Sequence, residues 1–525
     1  MSRPKRRAKM RAPRLLALVA VLVAGFALIP VGYVLLRGGV SLGALVDTLT
    51  LPTTMGYLVN TVLLTILVPL ASVVLGVLLA VLVVRTDLPG RRIWAMLFAL
   101  PLGIPAFVGS YAWVSLSYAV NPASTALFGL PGAVLILGSS LYPYVFLPVV
   151  AALRSLDTTQ EEMARSLGHG LVATFLKVTL PQLRPALSGG ALIIALHMLA
   201  EYGALVLLRY QTLTTAIMAR YEFGRAEEAL LLSTLLTVLC LAVLGFDRLL
   251  FRGVGRAAPD SRIRLGSGVT RTSTPAPLHA WQVPALLGSS AVVFIGLVVP
   301  LTGIFGGLFQ RLFGSGFADY DWLRLLTAIG NTASVGALAA LVTTLVAIPV
   351  SMFITRHPST LSMLTERATW ITRSLPGIVV ALALVFLASR YLPGLYQTIA
   401  LMVLGYVLLF LPLAVGAQRS GLLAAAPQFD ELSRSLGQGP LTTFRRVTLP
   451  LALPGIASGA LLVFLDVGKE LTATLLLHPT GFDMLSTGLW SRTELLDYKD
   501  AAPYALALVV LSSIPAYFLA RRMLR

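Results

Sequence analysis

The chain has 525 residues, 57% of them hydrophobic and 12% charged, with a formal net charge of +18 and a mean hydropathy of +0.85. Soluble domains carry about 25% charged residues, so the composition excludes an ordinary soluble protein and predicts an integral membrane one. The single Cys240 and five scattered histidines exclude an intramolecular disulfide, a cysteine metal cluster and an HExxH-type site.

Residues 1–14 are densely basic (Arg3, Lys5, Arg6, Arg7, Lys9, Arg11, Arg14) and precede an apolar run over 15–36. A secretory signal peptide has the same look, but this run is about 20 residues long and no clear A-x-A site follows. A retained first span with a cytoplasmic N-terminus is therefore predicted.

Apolar runs follow at 57–84, 93–118, 131–153, 187–208 and 228–251. Residues 252–281 are rich in Arg, Gly, Ser, Thr and Pro and read as a cytoplasmic linker. Runs resume at 282–308, 329–355, 371–389, 396–417, 456–478 and 502–520. The reading is an all-α polytopic membrane protein of about twelve spans, six in each of two halves, 15–251 and 282–525.

Orientation follows from the basic residues, which sit in short loops flanking apolar runs rather than on a nucleic-acid surface. Alternating from a cytoplasmic N-terminus, the inner segments hold Arg85, Arg91, Arg92, Arg154, Lys177, Arg184, Arg356, Arg367, Arg373, Arg419, Arg445 and Arg446. The outer ones mix signs, as in Arg220, Glu222, Arg225, Glu227 and Glu228. Both termini are thus expected in the cytoplasm.

The strongest feature is an internal repeat. Residues 162–185 (EMARSLGHGLVATFLKVTLPQLRP) align without a gap on 431–454 (ELSRSLGQGPLTTFRRVTLPLALP), an offset of 431 − 162 = 269. The halves also match at Asn60-Thr61 and Asn331-Thr332, at Leu100-Pro101 and Leu375-Pro376, and at Tyr142 and Tyr406. Six spans per half make the copies run in the same direction, which predicts a pseudo-two-fold axis along the membrane normal and a pathway at the interface.

Each repeated stretch, within loops at about 157–186 and 427–455, reads as a short helix of about ten residues, a glycine turn and a second helical piece broken at Leu-Pro. Thr158 with Glu161 makes a capping-box pattern, and Pro427 with Asp430 and Glu431 begins the second copy. Gly168 and Gly437 stand where a helix-ending glycine belongs. Glu162 can pair with Arg165, and Glu431 with Arg434, along one side. A short amphipathic helix there either packs on its own bundle or docks into a partner's groove. Two matched copies favour docking.

These residues carry a resemblance. The pattern from Glu162 through Arg165, Ser166, Leu167 and Gly168, with Thr174-Phe175 and Thr179-Leu180-Pro181 after it, resembles the "EAA" coupling loop of permease subunits of binding-protein-dependent ABC importers. So does its copy from Glu431 through Arg434, Ser435 and Gly437. The alanines are only partly kept, as Met163-Ala164 and Leu432-Ser433. The fused arrangement of two permease units is most like the iron(III)-transport permeases, and stretches 100–113 and 469–483 point the same way. Thiamine and molybdate/sulfate permeases share the loop, so the substrate stays open among free iron, chelate, thiamine and oxyanion.

The resemblance implies a type I ABC importer permease fold in a bacterial cytoplasmic membrane. It also implies an ATPase, as a dimer, docked through Glu162, Arg165, Ser166, Gly168, Glu431, Arg434, Ser435 and Gly437, and an extracytoplasmic binding protein. The chain has no GxxxxGK followed by Ser or Thr, so ATP and Mg belong to the partner; no cofactor, catalytic residue or metal site is assigned to this chain.

Ionisable residues fall inside matched spans: His197 and Glu201 in one half, Asp466, Lys469 and Glu470 in the other. A charge inside a span is unfavourable by about 2.5–3.5 kcal/mol or more, so it faces a cavity or a partner. They read either as a translocation lining, with carboxylates suited to ferric iron, or as interhelical ion pairs such as Lys469 with Glu201. The spans with Pro101, Pro105, Pro376 and Gly377 are expected to kink. A secondary transporter also suits twelve spans in two halves, but the duplicated loops and few buried carboxylates argue against it. A membrane-embedded enzyme lacks any metal or nucleophile constellation.

Overall fold

The computed structural model describes residues 13–38, 42–156, 159–250, 275–314 and 319–524. The basic segment up to residue 12, most of the linker and Thr158 with its capping box lie outside the described residues. The described chain is almost wholly helical, with no strand. An apolar span in lipid must satisfy every backbone amide internally, and a helix does so within one segment.

Among the described residues, seven helices are long and apolar enough to cross a membrane, and four bent pairs bring the number to eleven if each pair is one span. The last of the twelve runs expected from the sequence, 502–520, lies in the helix Tyr498–Leu524. Two helices dominate: Pro52–Arg85 with 34 residues and Trp322–Arg356 with 35. At 1.5 Å per residue each is about 50 Å long, well beyond a hydrocarbon core of about 30 Å, so the arginine ends can clear the bilayer.

The chain forms two compact units that do not follow the halves of the sequence. One is Met1–Leu45 with Trp322–Gly488, the other Val46–Asp321 with Leu489–Arg525. The repeats meet at the linker, but the first span of each half packs within the unit of the other. Arg14–Ala27 lies against Trp322–Arg356 and Thr360–Arg373, whereas Val299–Phe309 lies against Ala106–Val120 and Tyr498–Leu524. In the first unit, Trp322–Arg356, Ile399–Ala424 and Leu449–Lys469 form the centre. In the second, Pro52–Arg85, Pro143–Ser155 and Arg184–Ala200 do so.

The expected kinks at the proline-glycine spans prove to be turns near a right angle. Arg91–Gly103 meets Ala106–Val120 at 93°, and Thr360–Arg373 meets Gly377–Tyr391 at 100°. Pro105 and Pro376 lack the amide that would carry a helix through. The arm before the second turn carries Glu366, Arg367 and Arg373, so it suits an interface rather than the bilayer interior. The runs 93–118 and 371–389 are therefore not single straight spans.

Candidate functional site

Each basic loop opens with a short helix, Thr159–Ser166 or Pro427–Ser435. The two end identically. His169 N–H donates to the Ala164 carbonyl at 3.1 Å and Gly168 N–H to that of Arg165 at 2.9 Å. Gln438 and Gly437 repeat this with Ser433 and Arg434 at 3.2 and 2.9 Å. Such an ending needs a left-handed residue, and Gly168 and Gly437 supply it with φ of +88° and +78°. The Ser166 and Ser435 hydroxyls donate back to the Met163 and Leu432 carbonyls.

Beyond the turn, Phe175–Thr179 and Phe444–Thr448 each wind as one π-helical stretch. The break expected at Leu-Pro does not occur. Pro181 and Pro450 stand in the first turn of the α-helices that follow, where a missing amide is harmless. The first copy instead bends by 68° between Gln182 and Arg184, while the second runs on as Pro440–Lys469.

From the sequence, Arg85 and Arg356 read only as basic residues flanking spans and Glu161 and Asp430 only as helix-start residues; the structure joins them to hold the loop helices in place. Arg85, the last residue of Pro52–Arg85, brings Nη2 to 3.0 Å from Glu161 Oε1, and the Thr179 hydroxyl donates to the same oxygen at 2.9 Å. In the other unit Arg356 Nη2 lies 3.2 Å from Asp430 Oδ2, and the Thr448 hydroxyl donates to Oδ1 at 2.7 Å. Arg356 also donates to the Ala425 carbonyl at 2.7 Å. All four charged side chains are largely buried. A signal existed: Arg85/Arg356, Glu161/Asp430 and Thr179/Thr448 recur at offsets of 271, 269 and 269 by subtraction of their numbers.

Helical periodicity then sets what each loop presents. Glu161 and Ala164 face inward, as do Asp430 and Ser433, whose hydroxyl pairs with Thr443 at 3.0 Å. Glu162, Arg165, Ser166, Glu431, Arg434 and Ser435 are exposed. Among them lies a matched apolar row: Met163, Leu167 and Val172 are 60, 79 and 72% exposed, and Leu432, Leu436 and Leu441 are 60, 73 and 70%.

The intramembrane residues stand where the fifth span of each half breaks. Glu201 follows Arg184–Ala200, and its Oε1 accepts from Ala204 N–H at 3.0 Å in the short helix Gly203–Leu207. Glu470 follows Leu449–Lys469, and its Oε1 accepts from Ala473 N–H at 2.9 Å in Thr472–Leu477. Each carboxylate thus satisfies an amide at a helix start that has no partner within the helix. His197 Nε2 lies 3.5 Å from Glu201 Oε2, and Asp466 pairs across helices with Arg373 at 4.0 Å. Lys469, partly buried, ends its helix. A Cβ on Gly377 would fall 2.7 Å from Glu470 Oε1, so the second carboxylate occupies the space beside that glycine. Among the described residues no group of three or more His, Cys, Asp or Glu side chains is placed to hold a metal.

Asn60-Thr61 and Asn331-Thr332 tie down the segments beyond these breaks. Asn60 donates to the Gln211 carbonyl at 2.8 Å and Thr61 Oγ1 accepts from Leu213 N–H at 3.0 Å. Asn331 and Thr332 do the same with Asp483 and Leu485 at 2.9 Å each. The helices that follow end in Glu222 and Glu494, outside the membrane-crossing segments. Both residues are exposed, yet partial desolvation raises their pKa above the usual 4.5, and the Glu494 charge pushes Glu222 up further. An indole hydrogen bond from Trp490 partly offsets the shift at Glu494.

Bundled apolar helices and a twice-repeated basic loop define a polytopic integral membrane protein made of a duplicated unit. The chain belongs to the family of binding-protein-dependent transport system inner membrane components, which matches residues 72–256 and 347–525. It is therefore an inner-membrane permease subunit of the ABC-importer type, and such subunits are not themselves enzymes. It is 36% identical to the Fe(3+)-transport system permease protein FbpB 2 of Haemophilus influenzae, over 97% of this chain and 98% of that one. With the ferric transport system permease protein FbpB of Actinobacillus pleuropneumoniae it shares 23% identity over 80% of this chain and 63% of the relative. The molybdate/tungstate transport system permease protein WtpB of Pyrococcus abyssi is 26% identical over 37% of this chain and 75% of its own length.

Proposed function

We propose that this chain is the transmembrane subunit of an ATP-driven importer of ferric iron. Its N-terminus and both basic loops face the cytoplasm, as the distribution of Arg and Lys favours. A separate ATPase, binding ATP and Mg, docks on the loop helices through Glu162, Arg165, Ser166 and Gly168 in one copy and Glu431, Arg434, Ser435 and Gly437 in the other. An extracytoplasmic binding protein delivers the iron. The observation that carries the ATPase reading is the matched set of exposed apolar residues running from each loop helix through its glycine turn, flanked by the outward-facing charges. A helix laid into a groove recognises its partner through such an array. Iron as substrate is supported by the near full-length similarity to the Fe(3+)-transport permease.

Glu201 and Glu470 serve mainly as helix caps in this proposal, with one oxygen of each already engaged by the backbone.

The test is uptake into proteoliposomes containing this chain with its ATPase and binding protein, offered ferric iron, thiamine and molybdate in parallel. Iron uptake that requires ATP is the expected result. Uptake of either other substrate instead would keep the mechanism and overturn the cargo. Uptake driven by a proton or sodium gradient, without an ATPase, would overturn the proposal.

A further inference from the structure

We infer that Arg85 and Arg356 are positioning residues, clasping the two loop helices to the long central helices so that motion of the loops is passed into the membrane bundle. The inference rests on the ATPase-docking proposal above.

The geometry separates two neighbouring carboxylates. Glu162 and Glu431 are exposed on the face available to a partner, whereas Glu161 and Asp430, one residue earlier, point back into their own unit. Three elements meet at each inward carboxylate: the end of the long helix, the first turn of the loop helix and the end of the π-helical stretch. Each charge also suits its helix terminus, with arginine in a last turn and the acid in a first turn.

A buried ion pair adds little stability over a well-packed apolar substitute, because desolvation offsets the attraction. What it fixes is geometry. Apolar residues could hold the loop helix down, but they would let it slide, whereas a charge-assisted bond sharing its acceptor with a threonine hydroxyl sets distance and direction. The helices so clasped, Pro52–Arg85 and Trp322–Arg356, are central to the packing of their units. A push on the loop therefore reaches the core through one rigid element. Recurrence of the arrangement in both units, with aspartate replacing glutamate in one, argues against a chance surface pair.

The experiment compares iron taken up per ATP hydrolysed, with binding protein present, for wild type, E161Q, D430N and the double variant in proteoliposomes. The amides keep shape and remove charge. We expect ATPase co-purification and stimulated hydrolysis to persist while uptake per ATP falls about tenfold, within the usual span of coupling between sites. R85K should retain part of the ratio, and the exchanged pair R85E/E161R should regain part of what E161Q loses. An unchanged ratio in the double variant overturns the clasp, and so does a fall fully explained by lost co-purification. Should the amides fail to assemble, T179V and T448V carry the same test, and an unchanged ratio there overturns it equally. A wild-type chain that binds no ATPase would defeat the docking proposal itself, a result seen before any variant is compared.

Discussion

Arg85 and Glu161 are 76 positions apart in the chain and 3.0 Å apart in the fold. The link ties the end of a membrane helix to the start of a loop helix, and Arg356 with Asp430 repeats it in the other unit. Two bonds of this kind turn surface loops into parts of the bundle, which is what transmitting a partner's movement requires.

The glycine turns should be sensitive to conformation and not to space. A Cβ at Gly168 or Gly437 meets nothing within 4 Å, yet φ is positive at both. G168A and G437A should each lower stability by about 1–2 kcal/mol through left-handed strain alone. Larger side chains, projecting outward, should in addition weaken ATPase capture. Thermal unfolding in detergent and co-purification separate the two effects.

The exposed apolar row should matter for partnership and little for folding. L167S and L436S remove side chains that are 79% and 73% exposed. Stability should stay within about 0.5 kcal/mol of wild type, as for ordinary surface changes, while the complex with the ATPase is lost on size-exclusion chromatography. A stable complex from the double variant would move the docking face elsewhere.

Helix capping by Glu201 and Glu470 predicts that oxygen matters more than charge. E201Q and E470Q keep an acceptor for Ala204 and Ala473 and should unfold at the wild-type temperature and transport normally, whereas E201A and E470A should lose about 1 kcal/mol each. G377A should displace the Glu470 carboxylate and lose about 1–3 kcal/mol. Combined with E470A, its effect should be less than additive, because the clash is gone. Transport lost in the glutamine variants at unchanged stability would instead give the charges a place in the pathway.

Glu222 and Glu494 predict a pH dependence with a definite sign. Both are raised above 4.5 in the fold. Their protonated forms therefore favour the native state below the ordinary carboxyl value, and that contribution disappears as pH rises through the raised values. Melting temperature should fall more from acid to neutral pH in wild type than in E222Q/E494Q. A double variant with the wild-type slope would contradict this.

Much of the loop site was legible. The repeat, the glycine positions and the outward charges all lie within one short stretch, where helical spacing alone decides which side chains share a face. The clasps were not, since Arg85 and Arg356 look like any basic residue flanking a span. The caps at Glu201 and Glu470 were not either, because hydropathy shows an apolar run but not the backbone break inside it. The right-angle turns at Pro105 and Pro376 exceeded the expected kink for a similar reason. A proline marks where a helix can stop, and only packing sets the direction in which the chain resumes.

By itself the sequence determined a membrane-embedded, helical, duplicated chain with two matched basic loops, because composition and local periodicity act over a turn or a span. Tertiary structure decided that Arg14–Ala27 and Val299–Phe309 each pack with spans of the opposite half, which carboxylate of each neighbouring pair turns inward, and where the fifth spans break. In a bilayer, lipid-facing and helix-facing surfaces are equally apolar, so hydrophobic pattern cannot choose a partner helix. That choice comes from close packing and from charges brought together across many residues, which exist only once the chain has folded.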